Sequence, residues 1–338
     1  VRDGGMRALL ATNTIAQGDT REVGLDQLIA HGFSIPRAIS SVPWPGIANL
    51  DVSQVWLYRG KWHGDFILND QQVIGISPFL TAWGKIAGKP YRLAANANLS
   101  FKGSDIFGMG FVMMPDEAQT LISTNIKNKK CLFPYLNGED LNSRFDQSAS
   151  RWVISFHDWP LNREANGVWR TADAKQRKAW LRSGIVPGDY NDPVAADYPD
   201  LLAIIENKVK WERATKSTEV ASAPWWRYWR VRAELYSTIK GMKRVLVISV
   251  VTHHVAFALV PSNQILASHL VVFPLENLVY FAVLQSNLHE PWARAYSSSL
   301  ETRIRYLSSD CFETFPFPLN LSSLDAIGER YYTHRQTI

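Results

Sequence analysis

Cysteine is almost missing: Cys131 and Cys311 are the only two in 338 residues. That excludes a disulfide scaffold and any Cys-rich zinc module, and it favours a reduced, cytoplasmic setting. Long apolar runs are missing too. The longest candidate, Val245 to Val260, is interrupted by Thr252, His253 and His254, short of the roughly 18 residues a membrane helix needs. The amino terminus, VRDGG, has no apolar stretch behind a basic start, so no signal peptide is read there. It does not open on Met either, which reads as a chain cut from a longer protein and entering in mid-domain. There is no internal repeat and no low-complexity tract. Charge of one sign is scarce overall: 36 basic and 31 acidic residues leave a net +5. With 46% hydrophobic and 20% charged residues the composition is globular, and this length suits about two domains.

The charge is not evenly spread. Between Pro224 and Arg244 stand six cations, Arg227, Arg230, Arg232, Lys240, Lys243 and Arg244, against one acid, Glu234. That local excess equals the net charge of the whole chain. Three of the 13 tryptophans, Trp225, Trp226 and Trp229, lie in the same stretch. Clustered cations neutralise phosphates, arginine reads guanine edges and aromatic rings stack on bases. An amphipathic helix with its tryptophans in the core explains the same residues, and the segment alone divides evenly between the two readings.

The pattern along the chain reads as α/β, mixed α+β. Met6 to Ala11 reads as a buried strand, followed by a helix with Asp19 and Glu22 as a capping box and Gly32 at its C-terminal end. Strands at Ile35–Val42 and Leu50–Tyr58 flank the turn Pro43–Gly46. Strand, helix, strand, strand is how a doubly wound sheet ends. Beyond Gly75 regular alternation stops. Helices are expected at Pro115–Asn125, Asp200–Trp211, Leu275–Ser286 and Ser322–Arg335. Strands are expected at Arg151–Phe156, Val245–Val251 and Val255–Val260. Leu132–Gly138 reads as a loop with a turn, and the polar stretch Asn162–Val194 as an inserted loop.

Several small motifs have plainer explanations. Pro199-Asp200 with Glu206-Asn207-Lys208 has the form of a PD…ExK nuclease site, but the segment reads as one amphipathic helix. His253-His254 lie next to each other on an expected strand and point to opposite faces, so no metal site is read. Gly108-Met109-Gly110 lacks the third glycine of a phosphate loop, and no GxSxG is present.

Several stretches resemble the MmeI-like adenine-specific DNA methyltransferases of single-chain restriction–modification and phage-defence systems. They are Ala11-Thr12-Asn13-Thr14-Ile15-Ala16-Gln17-Gly18-Asp19-Thr20-Arg21-Glu22, Trp44-Pro45-Gly46 with Val52–Trp56, Pro134–Leu141, Arg151–Ile154, Leu300–Pro318 ending CFETFPFP, and Gly328–Tyr332 with Arg335. The resemblance implies methyl transfer from S-adenosylmethionine to adenine N6 in double-stranded DNA, with the base flipped out of the stack. It also implies that residues 1–75 are the end of a Rossmann-like methyltransferase domain. Residues 76–318 would be the target recognition domain, and 319–338 the start of a helical region.

No Asn-Pro-Pro-aromatic motif and no methyl-donor loop occur in this sequence. Catalytic, cofactor and metal residues are therefore expected to be none here, with S-adenosylmethionine held by a parent enzyme whose N-terminal methyltransferase half is the missing partner. The expected DNA contacts are Arg227, Arg230, Arg232, Lys240, Lys243 and Arg244, with Arg144, Arg151 and His253 as further candidates for base edges. The competing class is a specificity or scaffold protein docking another subunit through its Trp-rich surface. A carbohydrate-binding module would leave the cationic cluster without purpose.

Overall fold

A computed structural model describes the chain except residues 49, 84–89, 301–302 and 338. Glu301 and Thr302 of the family-like block at Leu300–Pro318 thus lie outside the described residues. The architecture is mixed α+β, with helices and several sheets. Contacts divide the chain into two compact units interleaved in sequence. One holds residues 1–100, 250–257 and 277–338; the other holds 101–249 and 258–276.

The first unit is built on a five-stranded sheet. Its strands are β1 (Met6–Thr12), β2 (Phe33–Pro43), β3 (Asp51–Arg59), β4 (Phe66–Leu68) and β5 (Gln71–Val73), in the order β1-β3-β2-β4-β5. β3 runs antiparallel to both β1 and β2. β1 and β2 are therefore parallel, joined by the helices α1 (Gly18–Val23) and α2 (Leu25–Ala30), with the return strand inserted between them. This is the expected close of a doubly wound sheet.

Leu25, Ile35, Ala38, Val55 and Leu57 form the core on one face. β1, expected to be buried, is instead an edge strand: Met6 is 48% and Leu10 58% exposed. Alternate residues of a strand face opposite sides of the sheet: Leu9 packs on the core, while Met6 and Leu10 lie on the other face, which is left exposed. The capping box is also corrected. Gln17 is the N-cap of α1 and makes no side-chain cap bond, and Asp19 lies inside the first turn. Gly32, with φ +84°, does supply the left-handed residue that ends α2. The same unit contains the helices Leu278–Leu284, His289–Tyr296 and Asp325–Thr337.

The second unit holds two four-stranded sheets, and its buried apolar residues form two large clusters, one around Val245, Val247, Val260 and Val272 and one around Leu132, Val153, Ile154 and Ile265. One sheet joins β6 (Phe101–Lys102), β12 (Arg244–Ser249), β13 (Ala258–Pro261) and β15 (Leu270–Phe273). The other joins β7 (Val112–Met113), β8 (Leu132–Leu136), β9 (Arg151–Ile154) and β14 (Ile265–Leu266). Leu132–Gly138 is thus a strand and a helix start, not a loop. Asn137 Oδ1 accepts from Asp140 N at 2.9 Å and caps α4 (Gly138–Ser143). The helix α3 (Pro115–Thr124) forms where expected.

Asn162–Val194 is not an inserted loop either. It holds β10 (Asn162–Ala165), the helix α5 (Ala174–Ser183) and β11 (Ile185–Pro187). Val186, Tyr190 and Val194 pack there with Trp169 and Trp180 as a small separate core. The expected helix from Asp200 starts at Pro199 as α6 (Pro199–Ile205), passes through a π-turn at Glu206–Lys210 and ends at Ala214.

Candidate nucleic-acid interface

The Pro224–Arg244 segment is not one amphipathic helix. Only α7 (Ala233–Thr238) is helical within it, because Arg230 is held in a β-bridge. Its backbone exchanges hydrogen bonds with Asp105, at 3.0 and 3.1 Å. Arg232 then adopts a left-handed φ of +61°. The rings turn inward. Trp226 donates through Nε1 to the Trp159 carbonyl at 3.0 Å, and Tyr228 donates its hydroxyl to the Ile154 carbonyl at 2.8 Å. Both are buried, and Trp225 is partly buried against the same core. The tryptophan face that would dock a partner is largely used up inside the unit.

The cations are disposed differently from the rings. Arg230, Lys240 and Lys243 are exposed, while Arg227, Arg232 and Arg244 are half-buried. Arg227 donates to the Asp158 carbonyl at 3.0 Å and lies over the Trp226 ring at 5.3 Å; burial pushes its guanidinium below the usual range. Lys243 N and Arg244 N both donate to Glu276 Oε1, at 2.6 and 3.1 Å. Those two bonds hold the Glu276 carboxyl below the usual range and fix the turn that presents the two cations.

Arg230 and Arg232 line a groove of about 400 Å³ together with Lys102, Glu234 and Phe101. Lys102, exposed on β6, was invisible to sequence reasoning because it lies over a hundred residues away. Arg232 Nε is buried there with no hydrogen-bond partner among the described residues. A buried donor of this kind suits an incoming anion.

Arg144 and Arg151 belong to the same unit. Arg144 binds Asp146 Oδ1 and Ser148 Oγ through Nε, at 3.3 and 3.2 Å. Arg151 is exposed at the start of β9, in register with Tyr135. His253 belongs to the first unit, in a bend rather than on a strand. Its carbonyl accepts from Arg294 at 3.1 Å.

The remaining motifs are structural. Gly110 lets the π-turn approach: a Cβ there would stand 2.4 Å from Lys208 Cβ. Glu206 pairs with Lys210 at 2.7 Å. Among the described residues no group of three or more His, Cys, Asp or Glu is placed to hold a metal ion. Cys131 and Cys311 are free and buried, and burial pushes both thiols up to about 12.

Sequence reasoning also missed a cleft of about 570 Å³ in the first unit. It is lined by Asn13 and Gln17 of the family-like ATNTIAQGDTRE stretch, and by Ser41, Ser53, Glu290 and Arg294. Asn13 Nδ2 donates to Ser41 Oγ at 3.2 Å, and Ser41 Oγ donates to Asp51 at 3.0 Å. Arg21 of the same stretch is buried on Asp26, at 3.1 Å, with the Phe79 ring 3.9 Å away.

The family model of the MmeI target recognition domain matches residues 195–319, a span that includes the cationic segment. No curated protein sequence matches. Among solved structures, the Type IIL restriction-modification enzyme MmeI in complex with DNA superposes with a TM-score of 0.70 at 18% identity, over 98% of this chain and 42% of that one. The type IIG restriction endonuclease BpuSI gives a TM-score of 0.35 at 11% identity, over 100% of this chain and 42% of that one. The chain therefore spans less than half the length of these proteins. The likeness to MmeI shows the fold, and the family match supports an MmeI-like target recognition domain over residues 195–319.

Proposed function

We propose that this chain is the sequence-reading part of an S-adenosylmethionine-dependent adenine-N6 DNA methyltransferase of a restriction–modification or phage-defence system. The observation that carries the reading is the match of residues 195–319 to the MmeI target recognition domain. Inside that span the structure turns the rings inward and leaves Arg230, Lys240 and Lys243 exposed. Their role is to neutralise phosphates of double-stranded DNA and release counterions, with Arg232 and Arg244 beside them. Base-edge contacts come from nearby loops.

The methyl donor and the catalytic motif belong to the N-terminal half of the parent enzyme. β1 ends the sheet with β3 as its single neighbour among the described residues, and its open edge is where that half continues the sheet, since an open edge strand is otherwise a template for aggregation.

The test is duplex binding against salt concentration. Changing Lys240, Lys243 and Arg244 together to Ala flattens the slope of log K against log salt by up to about three units. An unchanged slope overturns the assignment. Methyl transfer by the chain alone, without its N-terminal half, overturns the division of labour.

A further inference from the structure

Phe145 is 101% exposed, whereas Phe107, the next most exposed phenylalanine among the described residues, is 39% exposed. Among those residues its ring has no aromatic or cationic partner. A ring so placed on a mobile loop folds back onto the surface. This loop is cross-linked instead. The Asp146 carboxylate accepts from Arg144 Nε at 3.3 Å, from Ser148 N at 3.1 Å and from Ser148 Oγ at 2.7 Å. Gln147 N donates to the Arg144 carbonyl at 3.1 Å, and Gln147 takes a left-handed φ of +53°. On the far side Ser150 N donates to Asp140 at 3.2 Å. Before the loop, α4 is capped by Asn137 and tied by Asn142 Nδ2 to Ser249 Oγ at 3.3 Å. These bonds order the loop on both sides of Phe145, whose ring stands fully exposed.

We propose that Phe145 is an aromatic wedge that stacks on an unstacked base of bound duplex DNA; the inference rests on the DNA-reading function proposed above. Two observations select a nucleobase as the occupant. The residues flanking the ring, Asn142, Ser143 and Arg144 before it and Asp146, Gln147 and Ser148 after it, are all polar. A protein interface centres on a contiguous apolar patch, whereas a wedge between base steps is a single apolar side chain rimmed by polar groups. Second, Ala149 packs on the same core as Phe101, Tyr236 and Met242. Those three are close in sequence to Lys102, Arg232, Lys240 and Lys243, so the loop and the cationic surface rest on one support. Arg144 keeps its loop bonds through Nε alone, and its terminal amino groups remain available for the phosphate beside the inserted ring.

The experiment uses the 338-residue chain and duplexes enriched from a random-sequence pool by binding to it. 2-Aminopurine is placed at each position of the enriched duplex in turn. Wild-type protein is expected to brighten 2-aminopurine at one or two positions, the mark of an unstacked neighbour. Phe145→Ala is expected to abolish the brightening and to weaken binding roughly tenfold or more with an unchanged salt slope, since no charge is lost. Phe145→Trp retains both signals. Because the side chain is fully exposed, its removal leaves the thermal midpoint unchanged. Binding of Phe145→Ala within twofold of wild type with intact brightening overturns the inference, and a salt slope still lowered by Lys102→Ala and Arg232→Ala then leaves the DNA-reading function standing. If the wild-type chain binds no duplex, both fall.

Discussion

Arg213 is the most informative single position for testing how the cationic segment is held. It is 1% exposed, yet it keeps a full guanidinium inside the second unit. Its Nε donates to the Phe107 carbonyl, its two terminal nitrogens to the carbonyls of Pro224 and Ile106, each at 2.9 Å. The Phe111 ring lies 5.5 Å from the guanidinium carbon. The side chain thereby joins the loop after β6 to Pro224, the first residue of the cationic segment.

Burial pushes the guanidinium from 12.5 down to about 10, so it remains charged at neutral pH. That drop, net of the attraction of Glu212 and Asp105, corresponds to about 3 kcal/mol against the charged form. Three charge-assisted bonds contribute roughly 1.5–3 kcal/mol each and outweigh it. Replacing Arg213 by Met fills the space but leaves three carbonyls unpaired, so the expected loss is about 3–5 kcal/mol. Arg213→Lys, which keeps the charge and lacks the planar fork, is expected to lose roughly half as much. Urea unfolding followed by far-ultraviolet circular dichroism measures both. A loss under about 1 kcal/mol for Arg213→Met, at unchanged denaturant slope, would refute the reasoning, because the guanidinium would then be a passive filler.

Other outcomes follow from the same geometry. His289 is fully buried and bonds the Tyr306 hydroxyl at 3.0 Å, and burial pushes it from 6.5 down to about 4. The unfolded chain then binds a proton that the native chain refuses, so stability is full above about pH 6.5 and falls as pH drops towards 4, by up to about 3 kcal/mol. His289→Phe is expected to flatten that pH dependence, and a parallel curve would count against it. Gly103→Ala would bring a Cβ within 2.1 Å of the Ala267 carbonyl oxygen; the expected cost is about 1–3 kcal/mol or more, read as a fall in thermal midpoint. Trp180→Ala removes one wall of the small core at Val186, Tyr190 and Val194. Hydrogen exchange should then quicken within residues 162–194 and change little in β12 and β15.

How much of this was legible in the sequence depended on whether the deciding interaction was local. The strands β2, β3 and β12 and the helix α3 follow from periodicity, β-branching and a proline at the helix start, so they stand where the sequence puts them. Burial is a property of neighbours, and there the reading failed: Met6 and Leu10 look like core residues and are exposed on an edge strand. Asn162–Val194 failed in the opposite direction. Its polarity reads as a loop, yet Trp169 and Trp180 bury enough ring surface to organise a short helix and two strands.

The cationic segment was visible as charge, but its two explanations could not be separated along the chain. The bridge between Arg230 and Asp105 joins residues 125 positions apart and prevents a continuous helix, which lets the rings turn in while several cations turn out. Lys102 reaches the same groove from β6, so no window on the sequence could have grouped it with Arg230 and Arg232. A binding surface assembled from a strand edge, a bridge and a helix start is encoded in the pairing of distant residues, and for that reason its chemistry was readable before its geometry.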